Sequence, residues 1–247
     1  MKETDLVNNK NVKAICVMSG GADSLISLFW AIRRWVPECA LIGEHIEAVT
    51  FDYGQRHKYE IECAKRICKT FAIPHTVIQL SGYKAIEGLA LLSEDQPIEV
   101  PEGADVPTSF VPGRNIIFLT YAAALAYTRG CHNLVTGVCQ TDYSGYADCR
   151  DSSIKALQGA LALGLGFDVN IHTPLMWLTK AESIKLAKEN KALQYLRMTH
   201  TCYEGKVPSC GLCPSCKLRI HGFKEAGIID PIEYAVDIDW EDCKEVK

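Results

Sequence analysis

Short apolar runs rich in Val and Ile alternate along the chain with segments whose apolar residues recur at helical spacing. Ala14–Met18 has the character of a buried strand, and Ala22–Trp35 reads as a helix that Pro37 ends. Glu47–Asp52 predicts a second strand. Lys58–Phe71 puts Ile61, Ala64, Ile67, Cys68 and Phe71 on one helical face, and Pro74 divides it from a third strand, His75–Leu80. Asn115–Thr128 reads as a strongly apolar helix, Asn133–Gly137 as another strand, and Ser152–Leu163 and Lys180–Asn190 as further helices. Strand and helix alternating through short connections predicts the α/β class, with a doubly wound, mostly parallel sheet covered on both faces. Residues 82–110, with Pro97, Pro101 and Pro107, read as an excursion over the surface. After residue 197 the composition shifts to Cys, Pro and Gly, so the expected organisation is an α/β domain over residues 1–197 and a small module over 198–247.

Composition narrows the class. Of 247 residues, 48% are hydrophobic and 23% charged, enough apolar material for a sizeable core. The net charge of −4 offers no basic face, so stable nucleic-acid binding is not expected. The polar start MKETDLVNNKNVK lacks the apolar stretch of a signal peptide, and the longest apolar run, about Ile116–Tyr127, is too short to span a bilayer. A cytoplasmic protein without a membrane partner is therefore expected. The 12 cysteines then read as reduced thiols and metal ligands instead of a disulfide framework.

The candidate chemistry lies at the junctions between elements. SGGADS, Ser19 to Ser24, joins the first strand to the first helix. Glycines allow a tight turn and close approach of backbone to ligand, and the helix start offers unpaired N–H groups, so the junction suits a phosphate. Asp23 would repel a phosphate unless it binds a metal or caps the helix, and a magnesium nucleotide answers that. Met18, Ala22 and Leu25 flank the loop and complete the expected ATP-contacting stretch. The loop matches neither the Walker pattern nor the dinucleotide fingerprint. Asp52, Tyr53, Gln55, Arg56 and His57 follow the second strand, at the carboxyl end of the sheet where ligands bind in open α/β folds. Arg114 and Asn115 open a helix, and Arg114 offers a planar fork for phosphate or carboxylate. Asp142, Tyr143, Tyr146, Asp148 and Arg150 follow a strand and are suited to stack on, and bond to, a flat heterocycle. Cys149 beside Arg150 reads either as a lowered-pKa nucleophile or as a buried neutral thiol. Lys180 lies where it can balance phosphate charge, and Thr179 with Glu182 has the spacing of a capping box.

Cys202, Cys210, Cys213 and Cys216 crowd into 15 residues with Gly205, Pro208, Gly211 and Pro214 between them. Four thiolates at this spacing suit one structural zinc ion, with an iron–sulfur cluster or a redox pair as alternatives.

SGGADS resembles the SGGxDS signature of the PP-loop ATP pyrophosphatases. FDYGQRH (51–57), VPGRN (111–115), DYSGYADCR (142–150), LTKAE (178–182) and the four cysteines, in that order, resemble the 7-cyano-7-deazaguanine synthase family within that group. Ala147 and Gly113 stand where proline and alanine are more usual in the family, which removes no charged or metal-binding group. The resemblance implies an ATP-dependent ligase. It would turn 7-carboxy-7-deazaguanine and ammonia into 7-cyano-7-deazaguanine, for queuosine, through an adenylated carboxylate and an adenylated amide. Ser19, Gly20, Gly21, Asp23 and Ser24 are expected to hold ATP phosphates and magnesium, and Arg114 and Asn115 to contact ATP as well. Arg114 and Lys180 would act with Asp23 in catalysis. Asp52, Tyr53, Gln55, Arg56, Asp142, Tyr143, Tyr146, Asp148 and Arg150 would supply the base pocket, and the chain would form a homodimer. No room remains for a glutaminase domain, so free ammonia is the expected nitrogen source. Other PP-loop chemistry, such as tRNA thiolation, and a nucleotide-sensing module without turnover are the rival readings.

Overall fold

The computed structural model describes residues 11–56, 58–86, 88–89, 91–92, 108–141 and 146–246. Among these described residues five strands, β1 (Ala14–Val17), β2 (Ile46–Asp52), β3 (His75–Gln79), β4 (Asn133–Val135) and β5 (Asn170–His172), form one sheet in the order β3-β2-β1-β4-β5. Every pairing is parallel, with Ala14 opposite Ile46, Ile15 opposite Leu134 and Val135 opposite His172. The helices are α1 (Ala22–Trp35), the single turn α2 (Ile42–His45), α3 (Tyr59–Thr70), α4 (Arg114–Arg129), α5 (Asp151–Leu165), α6 (Lys180–Glu189) and α7 (Pro214–Glu225).

Period-two alternation along the central strands feeds two cores. Ala14 and Cys16 of β1 and Ala48 of β2 pack with Leu25, Ile26 and Phe29 of α1, Ala64 and Ile67 of α3, Ile184 of α6 and Phe223 of α7. Ile15 and Val49, the intervening positions, pack with Leu119, Ala122 and Ala126 of α4 and Ile154 and Leu161 of α5. The strand order runs outward in both directions from β1, so the carboxyl ends of β1 and β4 open a crevice between them, the ligand position of doubly wound sheets.

The doubly wound parallel sheet expected from the sequence is present, with local differences. β4 stops at Val135 and not at Gly137, because the chain turns beneath α1 there: a Cβ on Gly137 would lie 2.7 Å from the backbone carbon of Asp23. β5 is a three-residue edge strand, too short to register as a period, and α7 begins with Pro214 inside the cysteine cluster, where spacing of thiols masks helical spacing. Of the 82–110 excursion, Ser81–Ala85 forms a 3-10 turn, and residues 93–107 lie outside those described.

The segment after residue 197 is packed onto the sheet domain. Arg219 on α7 reaches Asp230 through Nε and Nη2 at 2.6 and 2.9 Å, donates to Thr199 Oγ1 at 2.8 Å and to the Leu196 carbonyl at 3.3 Å, and is 3% exposed. Tyr234 donates its hydroxyl to the same carboxylate at 2.7 Å. A Cβ on Gly222 would strike Cγ of Lys180 at 2.3 Å, so α6 and α7 touch through a glycine face. No helix among the described residues is long and apolar enough to cross a membrane.

Candidate active site

A cavity of about 330 Å³ opens at the crevice between the carboxyl ends of β1 and β4. The loop from β1 to α1 forms its floor. Gly20 takes φ +90°, and a Cβ there would fall 1.9 Å from the carbonyl oxygen of Glu60, so the loop lies flat against the start of α3 and only glycine fits. Ser19 Oγ donates to Ser24 Oγ at 3.2 Å and accepts from the Gly21 amide at 3.2 Å, and Ser24 Oγ donates to the Gly21 carbonyl at 2.9 Å. α1 begins without a side-chain cap, so its first-turn N–H groups remain available to an anion beside the loop. Asp23, in that turn, receives Lys180 Nζ at 2.9 and 2.8 Å. Lys180 is the first residue of α6, held there by Thr179: its Oγ1 accepts from Glu182 N at 3.2 Å while Thr179 N donates to Glu182 Oε2 at 2.8 Å. The capping box and the cation at the loop are thus both realised.

The opposite wall comes from distant parts of the chain. Arg114, at the start of α4, donates to the Tyr53 hydroxyl at 3.2 Å and lies 5.7 Å from the Tyr53 ring centroid and 6.0 Å from that of Tyr146. Tyr146 shares a 2.7 Å hydrogen bond with Ser109 Oγ. Asp148 accepts from the Asn115 amide at 2.8 Å and so caps α4, while Asn115 Nδ2 donates to Cys149 Sγ at 3.3 Å. Gln55 is pinned by the Tyr53 amide at 3.0 Å and donates to the Phe51 carbonyl and to Glu60 Oε1, each at 3.4 Å. Burial pushes the Glu60 carboxyl up to about 7, the charge of Arg114 and the bond from Gln55 countering it only in part.

Of the residues singled out from the sequence, Met18, Ser19, Gly21, Ala22, Asp23, Ser24, Tyr53, Gln55, Arg56, Arg114, Asn115, Tyr146 and Lys180 line this cavity together. Gly20 and Leu25 are not among the lining residues: Gly20 packs its backbone against Glu60, and Leu25 is buried in the core. Asp52 lies outside the lining and is engaged by Lys58 at 2.8 Å. Its carboxyl is lowered: burial acts to raise it, and the bonds from Lys58, the Gly54 amide and Gln79 outweigh that. Asp148 stands behind the wall as the α4 cap, and Arg150 is exposed at the start of α5, outside the lining. His57, Asp142 and Tyr143 lie outside the described residues. Sequence reasoning did not single out Glu60, Phe118, Thr136, His200, Thr201, Tyr203, Ser215 or Arg219, which also line the cavity. Glu60 was concealed as one more acid in an amphipathic helix. Thr201 and Tyr203 were overshadowed by the neighbouring cysteines. Thr201 Oγ1 is buried without a hydrogen-bond partner, a donor left over for a ligand.

Cys202, Cys210, Cys213 and Cys216 are all buried, with their sulfurs within 4.8 Å of one another. Cys210 Sγ and Cys216 Sγ are 3.8 Å apart. Sulfurs about 2.3 Å from a tetrahedral ion would have about that separation. The amides of Leu212 and Cys213 donate to Cys210 Sγ at 3.4 and 3.3 Å, and Cys210 N to Cys202 Sγ at 3.5 Å, which is how a turn steadies thiolate charge. The set fits one metal ion with no open position. Cys202 also lines the cavity, so the metal site and the crevice share a wall.

A parallel sheet with a glycine-rich phosphate loop at its switch point defines a nucleotide-binding protein of the PP-loop kind. The chain belongs to the family of the queuosine biosynthesis protein QueC, whose model matches residues 13–227. It is 51% identical over 224 residues to the 7-cyano-7-deazaguanine synthase of Chromobacterium violaceum, covering 89% of this chain and 92% of the relative. Proteins of the same name from Laribacter hongkongensis and Lysinibacillus sphaericus are each 45% identical, covering 89% and 87% of this chain and 93% and 96% of theirs. Among solved structures, the NH3-dependent NAD synthetase of Campylobacter jejuni in complex with the nitrate ion superposes with a TM-score of 0.43 at 16% identity, over 76% of this chain and 68% of that one.

Proposed function

We propose that the protein is an ATP-dependent ligase that converts 7-carboxy-7-deazaguanine and ammonia into 7-cyano-7-deazaguanine. The observation that carries this reading is one cavity with two unlike ends: a hydroxyl- and glycine-lined loop with a cation, and an aromatic wall with a guanidinium. The names of the curated relatives support the choice of substrate. The loop amides and hydroxyls would cradle the β- and γ-phosphates of ATP, and Lys180 would balance their charge. Asp23, Ser19 and Ser24 are oxygen donors of the hard kind magnesium takes, and an ion held by them, with Lys180 released from Asp23 to the phosphates, would supply charge neutralisation for the departing pyrophosphate. Arg114, with its planar fork and fixed charge, would orient the substrate carboxylate, and Tyr53 and Tyr146 would stack on the flat base. Carboxylate and amide oxygens are poor leaving groups, and esterification to AMP makes each a good one. Adenylation, attack by ammonia, adenylation of the amide oxygen and its loss would give the nitrile.

The four thiolates would hold zinc. A four-iron cluster would spread its thiolates further apart than the 4.8 Å seen here, and a redox pair would use only two of them. A homodimer is part of the reading, supported by the exposed apolar group Ile116, Ile117 and Tyr121 on the outer side of α4.

Mass spectrometry of base and nucleotide after incubation with Mg-ATP, ammonium and 7-carboxy-7-deazaguanine tests the whole. AMP together with the nitrile is expected. AMP without the nitrile would move the substrate assignment to another carboxylate, and no nucleotide turnover by folded, metal-loaded protein would end the ligase reading.

A further inference from the structure

Ammonia enters the reaction as a nucleophile, yet near neutral pH almost all of it is ammonium, which has no lone pair. A site that attacks with nitrogen must therefore remove a proton. Among the described residues lining the cavity there are two carboxylates, Asp23 and Glu60. Asp23 is occupied by both of its contacts to Lys180. Glu60 stands between the two ends of the site. Its backbone carbonyl touches the phosphate loop at Gly20, and its side chain is held toward the aromatic wall by Gln55 at 3.4 Å. Gln55 is itself anchored at both ends of its amide, to the Tyr53 N–H and the Phe51 carbonyl.

We infer that Glu60 binds the incoming ammonium and accepts its proton, a catalytic role that rests on the ligase reading above. The groups facing Glu60 are Arg114 from α4, Tyr53 and Gln55 from the turn after β2, and Cys63 from the next turn of its own helix. Arg114 favours the ionised carboxylate and burial disfavours it; the result, about 7, matches a proton acceptor working near neutrality. In the step, one N–H bond of ammonium breaks and its proton goes to Glu60 Oε. The freed lone pair forms the C–N bond at the acyl-adenylate carbon. The C–O bond to AMP breaks, and its electron pair leaves on the phosphate oxygen. That phosphate takes the second proton shed by the new nitrogen, giving the neutral amide.

Glu60→Gln keeps the size and the polar contact with Gln55 and removes the acceptor. The acyl-adenylate can be intercepted with hydroxylamine, which is neutral at pH 7 and needs no proton removed before it attacks. Wild-type protein is assayed first with hydroxylamine: failure to form the hydroxamate with AMP would overturn the ligase reading itself. Given that activity, Glu60→Gln is expected to lose about 100-fold or more of the ammonium-dependent rate at pH 7, to keep hydroxamate formation within about threefold, and to recover toward wild type as pH rises and free ammonia increases. An ammonium-dependent rate within twofold of wild type would overturn the proposal. So would equal loss with both nucleophiles, in either Glu60→Gln or Glu60→Asp, since that places Glu60 in adenylation or in the fold.

Discussion

The two ends of the cavity are built in opposite ways. The phosphate end is built on six consecutive residues, Ser19 to Ser24, shaped by one positive-φ glycine and a helix start, with a single distant side chain, Lys180, added to them. The far wall is five residues, Tyr53, Glu60, Arg114, Tyr146 and Tyr203, brought from five segments of the chain. A local site is encoded by backbone geometry and survives as a motif. An assembled site depends on every element that delivers a side chain, including the cysteine module. The two ends should therefore fail differently.

The largest effect is expected from the cysteine module, which delivers Tyr203 to the far wall and backs the cavity with Ser215 and Leu218. Cys216→Ser removes a fully buried member of the four-cysteine cluster next to Ser215 and Leu218, which line the cavity. Structural metal sites contribute folding free energy outright. We expect loss of one bound metal ion per chain by elemental analysis and a Tm lower by roughly 10 °C or more. The far wall should go with it, so binding of the base should fall more than binding of ATP. Equal loss at both ends would show that the ends are not independent.

Lys180→Met keeps the stem that packs over Gly222 and removes the charge. On the proposed reading, Asp23 would then face the ATP phosphates unopposed. We expect adenylation, followed by ATP–pyrophosphate exchange, to slow by about 10² to 10³-fold, the usual cost of one preorganised charge donor, with little change in Tm. Loss of base binding instead would place Lys180 at the other end.

Gly20→Ala tests the local end directly. The added carbon would overlap a backbone carbonyl at 1.9 Å, in a conformation side chains rarely adopt. Clash and strain together should cost about 2–4 kcal/mol, read from urea unfolding. Because the struck atom belongs to Glu60, this variant also strains the far wall.

How much was legible follows the same division. SGGADS, the capping box at Thr179 and the metal cluster are short-range patterns, and each appears in the structure where its spacing implied. Asp52 looked like a ligand residue because it ends a central strand. Its carboxylate instead accepts from Lys58 and the Gly54 amide, contacts that bind a turn and do not face the cavity. Asp148 likewise reads as a pocket acid but caps α4 at Asn115. Glu60 was illegible because nothing in its neighbours along the chain records that Arg114, from α4, will face it. β5 was missed because three residues carry no period, whereas β2, with seven, was plain.

The smallest effect is the most diagnostic of the assembled wall. A carboxyl whose folded value is raised to about 7 keeps its proton in the native state where the unfolded chain has lost it. Its contribution is favourable below the unfolded value of about 4.5, declines as pH rises toward 7, and stays lost above that. The wild-type protein should thus carry a destabilisation of about 3 kcal/mol at pH 8 that is nearly absent at pH 4.5. Glu60→Gln removes it. Relative to wild type, the Tm of the variant should climb by about 6–12 °C between pH 4.5 and 7 and then level off. Such a gain in stability beside a loss of ammonium-dependent rate is the mark of a group placed for chemistry at the expense of the fold. A flat difference across that range would mean that Glu60 ionises as an ordinary carboxylate. The far wall would then hold no group poised near neutrality, and its contrast with the phosphate end would reduce to shape alone.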